Sequence, residues 1–64
     1  MKEVTVFCRV GRANPQPLAS FNADHPNVKA ACDAVESNKF AELLRSGVAA
    51  DRVKFSRETR ETKE

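Results

Sequence analysis

Sixty-four residues with a mass of 7.1 kDa leave room for one small domain and exclude a second core or a separate cofactor domain. Of the 41% apolar residues, nine are Ala; Leu, Val and Phe together number 14, with no Ile, Trp or Tyr, so the core is small and self-association is one way to supplement it. Eleven basic against nine acidic residues give a net charge of only +2, short of the basic excess by which most nucleic-acid-binding domains neutralise phosphates.

The first element in the chain is the clearest. Glu3 to Val10 sets Val4, Val6, Cys8 and Val10 on one side at period two and Thr5, Phe7 and Arg9 on the other, a strand pattern rich in β-branched residues. The stretch before Arg9 is too short for the apolar core of a signal peptide and far too short to span a membrane, which points to a soluble, cytoplasmic protein. Gly11 to Pro17 holds two prolines and a glycine and reads as a loop. A weaker strand is expected over 18–22, with Ala19 and Phe21 inward and Leu18, Ser20 and Asn22 outward.

A helix is expected to start near Asp24-His25-Pro26, with Asp24 as its cap and the proline in its first turn. Val28, Ala31, Cys32 and Val35 then form an apolar stripe. Continued, the stripe reaches the polar Lys39 and Glu42, while Phe40, Leu43 and Leu44 lie rotated from it, so the helix is either long or kinked at Ser37-Asn38. Gly47 stops it. Arg52 to Ser56 alternates again, with Val53 and Phe55 inward, and makes a last strand. The period-three, wholly polar run 57–64 reads as a charged, flexible tail on a domain spanning 1–56.

These elements make an α+β fold of order β-β-α-β. Strand one lies in the middle of a three-stranded sheet, and the helix covers one face. Little in the composition speaks for catalysis. The single His25 is seven residues from Cys32, about 10 Å along a helix, too far for a nucleophile pair. Cys8 and Cys32 read as free, buried and inert in a reducing compartment. With His25 they are too few and too scattered for a zinc site, and Asp33 and Glu36 read as solvated surface. No metal and no cofactor is expected.

The expected function is non-catalytic: a small intracellular adaptor, inhibitor or regulator, of the kind phages and other mobile elements encode, that docks on a protein partner or on a second copy. Its candidate contact residues are Phe7 and Leu18 on the open sheet face and the ridge of Phe40 and Leu44. The alternative is a nucleic-acid-binding module in which Phe7 stacks on a base while Arg9, Arg12, Arg52, Lys54 and Arg57 hold phosphates.

Overall fold

The computed structural model describes residues 1–61. It is a three-stranded antiparallel sheet backed by one helix, in the order β1 (Lys2–Val10), β2 (Gln16–Asn22), α1 (Val28–Arg45), a single 3₁₀ turn (Ala50–Arg52) and β3 (Val53–Glu61). The strands lie in the order β2-β1-β3, so the valine-rich first strand is central, as expected from the order of elements.

The two ladders differ in regularity. Between β1 and β3 the register runs unbroken from Val10↔Val53 to Lys2↔Glu61. Between β1 and β2 it slips after Val6↔Ala19, because Phe7 is opposite Pro17 and Leu18 is an extra residue. A bulge of this kind bends the strand and re-aims a side chain. Leu18 accordingly shares a hollow with Cys8, Val10 and Leu43 on the helix side, which corrects the outward placement expected of it. Ala19 and Phe21 do face inward, opposite Val6 and Val4.

The helix begins later than Asp24. Pro26 disfavours the helical region for the residue before it, so the chain makes turns through 23–27 and enters the helix at Val28. Asn27 is the N-cap, without a side-chain cap bond. The Asn27 N–H instead donates to His25 Nδ1 at 3.1 Å, and Asp24 donates its backbone N–H to Asn22 Oδ1 at 2.9 Å.

From Val28 the helix runs without a break through Ser37 and Asn38 to Arg45. Its less exposed residues are Val28, Ala31, Cys32, Val35, Glu36, Lys39, Phe40 and Leu43, an uninterrupted stripe at the 3-4 spacing of one face. Glu36 and Lys39 belong to that stripe because long side chains can lay their stems along apolar surface while keeping the charge in water. The C-terminus closes in a Schellman motif. Val48 donates to Leu43 O and Gly47 to Leu44 O, both at 3.1 Å, and Gly47 takes the required positive φ of 90°.

The interior is shallow. Among the described residues only Val6, Cys8, Cys32 and Val53 fall in the buried class, and both cysteines are free thiols. The molecule measures 40 × 22 × 14 Å, and its radius of gyration of 12.7 Å exceeds the roughly 11 Å of a compact chain this long. One layer of helix on one layer of sheet leaves the second sheet face bare.

Candidate functional site

Alternation along β1 sends Val4, Val6, Cys8 and Val10 to the helix and leaves Glu3, Thr5, Phe7 and Arg9 as the middle row of the bare face. The ladder register adds Ser20 and Pro17 from β2, and Lys54, Ser56, Glu58 and Arg60 from β3. This face is mostly polar. Thr5 and Ser20 share a hydroxyl–hydroxyl bond of 2.9 Å, and Arg60 donates to Glu58 at 3.1 Å. Phe7, its aromatic residue, lies opposite Pro17 on one side and Ser56 on the other. Arg9 is directly opposite Lys54, a like-charge pair that a cross-strand neighbourhood does not favour.

The residues expected to cooperate are therefore partly together and partly dispersed. Thr5, Phe7, Arg9, Ser20 and Lys54 do share the bare face. Leu18 does not, for the reason given above. Arg52 sits in the 3₁₀ turn, where its carbonyl accepts the Gly11 N–H at 2.8 Å, and it lines a shallow hollow with Val10, Gly47, Val48 and Ala49. Arg12 is exposed in the turn after β1. The Phe40 and Leu44 ridge is also split. Phe40 packs edge-on to Phe55 with ring centroids 6.4 Å apart, whereas Leu44 lies off the stripe and remains 43% exposed.

Arg57 corrects the sequence reading most sharply. It is opposite Val6, which puts it on the helix side and not among the phosphate-binding candidates. Its Nη2 reaches Asp33 Oδ1 at 2.5 Å and its Nε reaches Glu36 Oε2 at 2.8 Å. Both bonds raise the guanidinium pKa above its ordinary value, the Glu36 bond foremost. The two carboxylates read as plain solvated surface are thus the clamp that ties the helix to β3.

The feature that periodicity missed is the length of β3. Residues 57–61 continue the strand instead of forming a tail; 62–64, the rest of the expected tail, lie outside the described residues. The signal was available in β1. Once Val10 is set opposite Val53, nine residues of β1 require nine of β3 to pair with them. Among the described residues the outer side of β3 pairs with no strand, so every second residue along its nine-residue length turns its backbone N–H and C=O outward to an open edge.

Comparison with protein-family models, with curated proteins and with solved structures finds no match for this chain. Among the described residues, no helix is long and apolar enough to cross a membrane, and no group of three His, Cys, Asp or Glu side chains is placed to hold a metal ion.

Proposed function

We propose that the chain is a small non-catalytic protein-binding domain, an adaptor, inhibitor or regulator that works by docking. The open edge of β3 carries this reading. An unpaired, regular strand is a template on which another strand adds by main-chain hydrogen bonds, with flanking side chains supplying specificity. The shallow interior supports it, because a partner along that edge would cover the half-buried Phe55 and Phe40. The test is affinity capture with the folded chain at rising salt, with the amide spectrum of the complex assigned. A protein retained at high salt, with shifts concentrated in residues 53–61, is the expected result.

A second reading rests on one observation, the Arg9 and Lys54 pair beside Phe7 on the bare face. Two adjacent cations next to a partly exposed ring are suited to a phosphate and a stacked base. It is the smaller claim, because Arg57 is neutralised in its clamp and Arg12 and Arg52 are elsewhere. Titration with short single- and double-stranded oligonucleotides decides it. Shifts at Phe7, Arg9 and Lys54 that vanish between about 50 and 200 mM salt would replace the docking reading with this one.

A further inference from the structure

We propose that the strand docking on β3 is the β3 of a second copy of this chain, in antiparallel register about a two-fold axis at Ser56. The inference rests on the docking reading and names its partner. A two-fold axis perpendicular to the sheet keeps each residue on its own face, so a symmetric pair must place one residue of β3 opposite itself. That condition leaves few registers, and their charges together with the length of strand they pair distinguish them.

Centred on Ser56, the register sets Lys54 opposite Glu58 of the second copy, twice, on the bare face. On the helix face it sets Phe55 opposite Arg57 and Val53 opposite Thr59, so seven residues of each copy pair without one like-charge contact. Shifting the centre to Arg57 puts Arg57 on Arg57 and Lys54 on Arg60. Shifting it to Glu58 puts Glu58 on Glu58. A centre at Phe55 limits the pairing to 53–57, and one at Thr59, although it sets Arg57 opposite Glu61 and Glu58 opposite Arg60, limits it within the described strand to 57–61 and leaves Phe55 outside.

The Ser56 register also accounts for the aromatic residues. The two Phe55 side chains become diagonal neighbours across the axis, about 7–8 Å apart, within reach of each other and backed by the two Phe40 rings. Arg57, opposite Phe55, arrives already held by Asp33 and Glu36, so no unpaired charge enters the contact. The product is a continuous six-stranded sheet, β2-β1-β3 followed by β3-β1-β2 of the second copy, with both helices on one face.

The experiment is sedimentation equilibrium on the wild-type chain and on the variants Lys54→Glu and Glu58→Lys. Wild type is expected to associate to a dimer. Each single variant places like charges opposite one another twice and should weaken association by about tenfold or more. An equimolar mixture of the two variants restores opposite charges at every position and should dimerise, as should the double variant Lys54→Glu/Glu58→Lys. Neither change threatens the fold, since Lys54 faces Arg9 and Glu58 bonds the exposed Arg60; amide spectra verify this. Independently, amide exchange in 53–59 should slow as the wild-type concentration rises. A wild-type chain that stays monomeric overturns the proposal, and if that monomer still captures another protein at high salt the docking reading survives it. A dimer indifferent to both variants, or variants that the mixture does not rescue, also overturns it.

Discussion

The two outer strands flank the same central strand and meet their surroundings in opposite ways. β2 is seven residues long, carries Pro17, and is bent by the bulge at Leu18. Proline and bulges are standard means of making a sheet edge unfit for further pairing. β3 is nine residues long, has neither device, and keeps perfect register with β1. Their attachment to the body of the domain differs too. β2 sends Leu18 and Phe21 into apolar hollows beside the helix along its length, whereas β3 has its apolar anchors at one end only, the buried Val53 and the Phe55 ring on Phe40, and beyond them is tied to the helix by the Arg57 clamp. The strand with the blunted edge is apolar through its middle, and the strand with the open edge turns wholly polar from Ser56 onward. A strand free to accept a partner is drawn from the less apolar half of the sheet.

Mutations separate the two sides. Val6 lies fully buried in the strand they share, so Val6→Ala should cost about 2–3 kcal/mol, read as the shift of a denaturant midpoint, and loosen both ladders together. Phe55→Ala should cost about 2 kcal/mol, less than a fully buried ring because Phe55 is only partly buried. Its signature is regional: amide protection falls over 53–61 while β2 keeps its own. Equal loss in both strands would mean that the ring contact supports the whole core and that the contrast between the sides is false.

Gly47→Ala forces a side chain into a positive φ and should cost about 1–2 kcal/mol, although its Cβ would meet no neighbouring atom. Because Gly47 begins the link to β3, that strand should again lose protection first. Arg57→Gln should cost only about 0.5–1 kcal/mol, since the clamp is partly solvated, and added salt should shrink the difference between wild type and variant. The sign of the Arg57 shift sets its pH dependence. A cation whose pKa is raised on folding contributes in full below its ordinary value and loses that contribution only above it, so moderately alkaline buffer should leave the clamp intact. The smallest effect on stability, within about 0.5 kcal/mol, is expected for Pro17→Val on the exposed β2 edge. Its informative readout is assembly: a β2 edge opened in this way should turn a discrete association into a larger one.

How far the fold was legible follows from which physical rule governs each segment. Val4, Val6, Cys8 and Val10 alternate so cleanly that the strand and its inner face can be read directly, and its central place follows from the order of elements and the crossover through the helix. Phe21 and Val53 were readable for the same reason. Leu18 was not, because a bulge is a property of two strands in register and alternation in one strand says nothing of it. Whether the helix is continuous or kinked is not legible from the sequence because Lys39 counts as polar there, and its place in the stripe depends on what lies across from it.

The candidate site was less legible than the fold. Phe7, Arg9 and Lys54 could be placed on one face from alternation and topology, but Arg57 could not be assigned to the other face without the full length of β3. The run from Arg57 to Glu61 has no apolar residue, so hydrophobic periodicity carries no information there.

The amino-acid sequence alone determined the class of the fold, its element order, the central strand and the glycine that ends the helix, because each depends on contacts within a few residues or on one strong apolar pattern. Only the tertiary structure decided that one helix face is continuous, that Asp33 and Glu36 clamp Arg57, and that β3 extends to Glu61 with an unpaired edge. Those features arise from pairings between segments more than 20 residues apart, where the partner supplies the hydrogen bonds and counter-charges that give a polar side chain its place.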